Sequence, residues 1–131
     1  MSENLDLVRS IYADWERGDF SSAEWAHHEI EFVFADGPEP GSWSGLAGMT
    51  EGWTNWLGAW EDFRAEAEEY RVLDSERILV LVHNSGRGRT SGLAVDQHSV
   101  ANLFQIRGGR VTRFVLYWDS DRALADLGMA G

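Results

Sequence analysis

Asp36 has the residue type and setting for acid–base chemistry. It closes the apolar run Phe32-Val33-Phe34-Ala35 and opens DGPEPGSWSG (36–45), which holds both prolines and three glycines of the chain. A carboxylate beside Phe and Trp is desolvated, and desolvation raises its pKa toward the neutral range in which a general base works best. The competing reading is structural, because Asp-Gly is ordinary turn chemistry. Asn102 supplies a neutral amide donor. If residues 92–106 are extended, His98, Val100, Asn102, Phe104 and Ile106 share one face. His98 then stands beside Asn102 as an acid–base group or as a group that orients a ligand carbonyl. A buried Asn satisfied by its neighbours, and a partly exposed strand His, are the bland alternatives. His27-His28-Glu29 invites a metal reading, but adjacent strand residues face opposite ways and no third ligand follows at a suitable spacing. No metal site is expected, and the face of His83 stays open.

The aromatic residues suggest what such groups would act on. Seven tryptophans in 131 residues exceed what a small core needs, and each indole N–H wants a partner. Trp15 shares a helical face with Ile11, Trp53 shares one with Met49, Trp56 and Trp60, and Trp118 follows Phe114 and Leu116 on alternate pleats. Trp15, Trp53, Trp56 and Trp118 are expected as walls of an apolar pocket for a flat or hydrophobic ligand, with Ile11, Tyr12, Phe32 and Phe104 beside them. Trp43, in the Pro/Gly stretch, is expected as a lid. Core packing is the alternative for each. Asp119 and Asp121 read as helix caps, and Arg87 and Arg89 as a solvated pair.

These residues need elements to hold them. Leu5, Val8, Ile11, Tyr12 and Trp15 recur at three and four, predicting a helix over 3–17 that ends at Gly18. A short helix is expected from Ser21 or Ser22 to about His27, then a strand over 29–35. The stretch 36–45 reads as a loop. A helix over 46–60 follows, then strands at about 62–73, 77–84, 92–106 and 110–118. The segment 62–73 is rich in Ala and Glu, which favour helix, but it has strands to pair with. Gly86-Arg87-Gly88-Arg89 is expected in a loop and Arg107-Gly108-Gly109-Arg110 in a tight hairpin. A helix over 121–127 closes the pattern, with Asp119 or Ser120 as cap and Gly128 as stop.

Helices early and antiparallel strands late make an α+β pattern. With Gly18-Asp19, the Asp36–Gly45 stretch, SGLAV (91–95), RGGRV (107–111) and YWDSDRALADLG (117–128), the chain resembles the SnoaL-like proteins of the ketosteroid-isomerase-like, or nuclear-transport-factor-2-like, superfamily. The resemblance implies a cystatin-like cone: a curved, mainly antiparallel sheet wrapped around the N-terminal helices, with an internal pocket. It places Asp36 where ketosteroid isomerases hold their general-base aspartate. It places Asn102 where they hold a protonated aspartate that donates to the developing oxyanion. The position of their catalytic tyrosine holds Ile11. Tyr12, one residue on, projects about 100° away and is the alternate. The superfamily hosts isomerases, cyclases, hydrolases, dehydratases and non-catalytic members, so the reaction must be argued at the site.

Composition narrows the rest. Cysteine is absent, which excludes disulfides, thiol catalysis and Cys-ligated metals. All 11 basic residues are Arg, so there is no lysine for a Schiff base or a P-loop. A net charge of −11 argues against nucleic acid and anionic membranes as partners. No apolar signal core or membrane-length run appears, and a single domain over 1–131 in a bacterial cytoplasm is expected. Ala101, Leu103, Val115 and Tyr117 make the opposite sheet face apolar too, which predicts a homodimer through that face. The expected function is proton transfer next to a carbonyl of an apolar compound, without a cofactor. In it Asp36 is the base, and Asn102 and His98 steady the enolate. A non-catalytic binder of hydrophobic ligands, or an interaction module without a ligand, are the rivals.

Overall fold

A computed structural model describes residues 3–17, 19, 24–35, 41–89 and 92–128, without the side chains of Val95, Gln97, His98 and Ser99. Helix α1 (Glu3–Glu16) turns Val8, Ile11, Tyr12 and Trp15 inward. Strand β1 (Ala26–Phe34) begins earlier than expected. Ala26 is already paired with Val111, and Val111 N–H donates to Trp25 O at 2.8 Å. That ladder takes the backbone groups a helix over 21–27 would need, so the expected helix is not present at Ala26–His27; residues 21–23 lie outside the described set.

Strand β2 (Gly41–Ser44) corrects the loop expected over 36–45, because it pairs antiparallel with β1, Trp43 opposite Phe32. Gly45, at φ +77, makes the turn from β2 into α2 (Gly45–Gly58). Ala59 N–H closes the last turn onto Trp56 O at 3.1 Å. Trp60 therefore leaves the helix and opens β3 (Trp60–Val72). Then follow β4 (Arg77–Gly88), β5 (Ala94–Arg107), β6 (Arg110–Tyr117) and α3 (Ser120–Asp126). Residues Gly86–Gly88 are not a loop but the end of β4, paired on one side with β3 and on the other with β5. The expected hairpin is present: Arg107 pairs with Arg110, and Gly108 and Gly109 supply the two positive φ angles. Asp119 caps α3 by accepting from Asp121 N–H, and Gly128 follows its end at φ +71.

The six strands form one curved, unclosed sheet in the order β2-β1-β6-β5-β4-β3, antiparallel except between β1 and β6. β3 carries two one-residue bulges against β4, at Glu61–Arg64 and at Ala67–Glu69. Each bulge resets the alternation and bends the strand. As a result Trp60, Phe63, Ala65, Ala67 and Tyr70 all belong to the inner side, a spacing that no strict period of two would produce. Asp62, at φ +53, sits in the first bulge.

The sheet has two apolar faces. The inner one packs on α1 and α2 through a core that includes Ile30, Phe32, Ile78, Val80, Val82, Phe104 and Phe114. The outer one holds Leu79, Ala101, Leu103, Val115 and Tyr117, and α3 covers it with Ala123 and Leu124. The chain's own last helix thus packs on part of the apolar outer face from which the sequence argues for a second copy, and Val33, Leu73 and Leu81 on that side stay only partly buried.

Gly52 shows how tightly α2 packs. A Cβ there would lie 2.8 Å from Trp43 Cδ2 and 3.1 Å from Phe32 Cδ2. Gly→Ala inside a helix ordinarily gains up to about 1 kcal/mol. Here two packed rings must move, which costs about 1–3 kcal/mol. Gly52→Ala is expected to lower the urea midpoint, and a raised midpoint would show that Trp43 shifts freely.

Candidate functional site

The centre of the inner face holds a polar pair. Asn102 lies on β5 between Val80 of β4 and Leu116 of β6, and it is 4% exposed. Its Nδ2 donates to the Tyr12 hydroxyl at 2.6 Å. Its Oδ1 is buried and has no hydrogen-bond partner among the described residues. Tyr12 is 0% exposed and is ringed edge-on by Trp15, Tyr70 and Phe104. Burial pushes the Tyr12 hydroxyl well above the usual phenol pKa; the hydrogen bond from Asn102 works the other way, and Tyr70 adds to the rise. The phenol therefore stays protonated. Since its oxygen accepts from Asn102, its own proton is available to a further acceptor. An unsatisfied buried polar atom costs about 1–3 kcal/mol, and in a native interior such an atom calls for an explanation.

Helix α1 buries both Ile11 and Tyr12, but it is Tyr12 that reaches Asn102. Around the pair the tryptophans divide. Trp15 and Trp53 are core residues: Trp15 lies 5.9 Å from Phe114 in a near-parallel stack, and Trp53 lies 5.7 Å from Phe32. Trp43 is not on a loop; on β2 it leans on Phe32 and Phe34 at 6.0 and 5.5 Å. Trp56 and Trp118 are half-buried and meet edge-on at 5.5 Å.

Trp56 and Trp118 border a narrow cleft, with room for only about 10 Å³, together with Trp60, Phe63 and Asn84. The inner parity of β4 runs Ile78, Val80, Val82 and then Asn84, which is buried at 7% exposure. Sequence reasoning overlooked Asn84 and Phe63. The available signal was a polar residue continuing an otherwise apolar face. The Nε1 atoms of Trp56 and Trp60 are buried and have no acceptor among the described residues.

Asp36 lies outside the described residues, and so does the side chain of His98. The β4–β5 ladder passes through a bulge between Val82 and Asn84, where β5 carries the extra residue, so parity counted from Asn102 ends at Val100. His83 pairs with Asp96. His27 Nδ1 accepts from Glu29 N–H at 3.0 Å. Arg87 donates to Gly92 O at 2.9 Å. No described helix is long and apolar enough to cross a membrane.

A family model described as a SnoaL-like domain matches residues 8–114. No curated protein matches the sequence. Among solved structures, an NTF2-like protein of unknown function from Burkholderia pseudomallei is 17% identical, with a TM-score of 0.77 over 95% of this chain and 97% of that one. TerC, co-crystallised with polyporic acid, is 20% identical, with a TM-score of 0.74 over 96% and 98%. A protein with a ketosteroid isomerase-like fold from Catenulispora acidiphila, in complex with trimethylamine, is 15% identical, with a TM-score of 0.70 over 95% and 94%. At these identities the likeness is one of fold.

Proposed function

We propose, starting from a chain that belongs to the SnoaL-like domain family, that it catalyses proton transfer next to a carbonyl of an apolar small molecule. The observation that carries this reading is the buried Tyr12–Asn102 pair, which presents a phenolic proton and an unmatched amide oxygen inside an aromatic interior. Tyr12 donates to the substrate carbonyl oxygen, and that bond strengthens as negative charge develops there. Asn102 is a positioning residue that holds the Tyr12 oxygen; its Oδ1 suits the hydrogen of an enol.

Asp36, in the setting the sequence describes, takes the proton from the carbon next to the carbonyl. The C–H electron pair becomes the C=C bond of the enolate, and the carbonyl π pair moves onto oxygen. Return of the proton from Asp36 to the same or a conjugated carbon completes exchange or isomerisation. No cofactor enters this sequence.

The test needs no knowledge of the natural substrate. Deuterium incorporation into 2-tetralone in D2O, followed by NMR, is expected to run faster with the protein than in buffer. It is expected to fall by about 10²–10⁴-fold in Asp36→Asn. Unchanged exchange in Asp36→Asn would remove Asp36 as the base. Binding of 2-tetralone without any exchange would replace the enzyme reading with a ligand-binding protein of the same fold.

A further inference from the structure

We propose that the uncharged, solvent-facing flank of α2 is a docking surface for a second copy of this chain, with the two helices meeting antiparallel about a two-fold axis.

Charge carries the argument. The chain has a net charge of −11, so two copies repel each other across most of their surfaces. The other two helices turn Glu3, Asp6, Arg9, Glu16, Asp121 and Asp126 to solvent. Helix α2 is different: Glu51 is the one charged residue among its 14. It buries Met49, Gly52 and Trp53 against the core. Outward of that face, Leu46, Thr50, Thr54 and Leu57 recur at four, four and three, forming one row along the helix. Leu46 is 37% exposed, both threonines are exposed, and Leu57 is half-buried. Glu51 lies about 100° round the helix from Thr50, so it borders the row without interrupting it. A surface depleted of charge is what the centre of a protein–protein contact requires. In a strongly acidic protein it is also where two copies meet with the least repulsion.

The order of the residues selects the partner. Leu-Thr-Thr-Leu reads nearly the same in both directions. A two-fold axis at its centre therefore sets Leu46 of one copy against Leu57 of the other, and Thr50 against Thr54. One patch then serves both copies, as an isologous contact demands. Ala47 and Gly58 flank the row, and both are exposed and small. A Cβ at Gly58 would meet nothing within 4 Å, so that end of the helix is open to a neighbour. Two helix axes can then approach to roughly 8–10 Å. Four turns of helix, about 21 Å long, make a small contact. The dimer is accordingly weak and concentration-dependent. Its seat is separate from the outer face of the sheet, where α3 packs.

Sedimentation equilibrium from micromolar to millimolar protein tests this. Thr50→Glu and Thr54→Glu change exposed residues to a better helix former, so both variants are expected to fold, which their urea midpoints check. Each sets a carboxylate in the contact on both copies and is expected to raise the dimer Kd by about tenfold or more. Ala13→Glu adds the same charge on the exposed side of α1 and is expected to leave the Kd within about twofold. Thr50→Glu combined with Thr54→Arg sets opposite charges across the axis at unchanged net charge. It is expected to bring the Kd back to within about threefold of the wild type. Added NaCl is expected to tighten the wild-type dimer, because it screens the repulsion between copies and leaves the uncharged contact alone.

A wild-type protein that stays monomeric at millimolar concentration overturns the proposal. So does a dimer that persists in either single Thr→Glu variant, since its seat is then another face, such as the outer side of the sheet. Equal weakening by Ala13→Glu assigns the effect to net charge and overturns the α2 seat, and a wild-type dimer loosened by NaCl does the same. A double variant that does not recover overturns the antiparallel pairing.

Discussion

Tyr12→Phe is expected to slow α-proton exchange by about 10²–10³-fold, the usual consequence of removing one donor to a developing oxyanion. The same substitution should destabilise the protein by about 1–3 kcal/mol, because Asn102 Nδ2 then joins Oδ1 as a buried group without a partner. The two effects separate in the double variant. Tyr12→Phe with Asn102→Leu removes both polar groups and fills the space with carbon, so the urea midpoint should return to the wild-type value or above it. Exchange should stay as slow as in the single variant. Retained exchange in Tyr12→Phe would end the role of the phenol as donor. Equal destabilisation in the single and double variants would show that the pair is not held by its hydrogen bond.

Phe114→Ala is expected to cost about 3–5 kcal/mol and to lower the melting temperature by about 10–20 °C. Phe114 is the hub of the inner face. It stacks on Phe104 with ring centroids 4.6 Å apart and on Trp15 at 5.9 Å. It also meets Phe32 at 5.5 Å, Trp25 at 6.0 Å and Trp53 at 6.2 Å. Five large rings do not collapse into the space of a sixth, so a cavity remains and its lining loses dispersion contacts. A thermal unfolding scan checks this. A loss below about 1 kcal/mol would mean that the rings repack.

Much of the fold was legible in the residues. Ile30, Phe32 and Phe34 alternate with Glu29, Glu31 and Val33, and that alternation is the burial pattern of β1. The Gly108-Gly109 turn and the Asp119 cap are local chemistry, and both are where the sequence points. The misses share one physical origin: pairing partners distant in sequence. Gly41–Ser44 follows two prolines and looks like loop, yet β1 supplies the hydrogen bonds that make it a strand. Trp60 fits the helical stripe of Trp53 and Trp56, yet the ladder to Gly88 takes it into β3. The strand expected over 62–73 is present; its composition favours helix and its bulges break the period of two, so its pairing partners were the signal that identified it.

For the site, the helical period places Ile11 and Tyr12 on neighbouring parts of one buried stripe and does not say which of them meets the sheet's polar residue. The stronger signal was chemical. Tyr12 and Asn102 are both hydrogen-bonding side chains in apolar company, and burying either requires a partner.

The end of β6 joins the two sides of the sheet. Tyr117 belongs to the outer cluster beneath α3, and the next residue, Trp118, lines the cleft on the inner side. Asp119 then caps α3, which begins at Ser120. The last helix and the wall of that cleft are thus neighbouring stretches of one backbone, so α3 is a handle on the cleft from the opposite side of the sheet. A force or a partner that lifts this helix acts on the cleft through the one residue between them, Asp119, with no need to travel through the core.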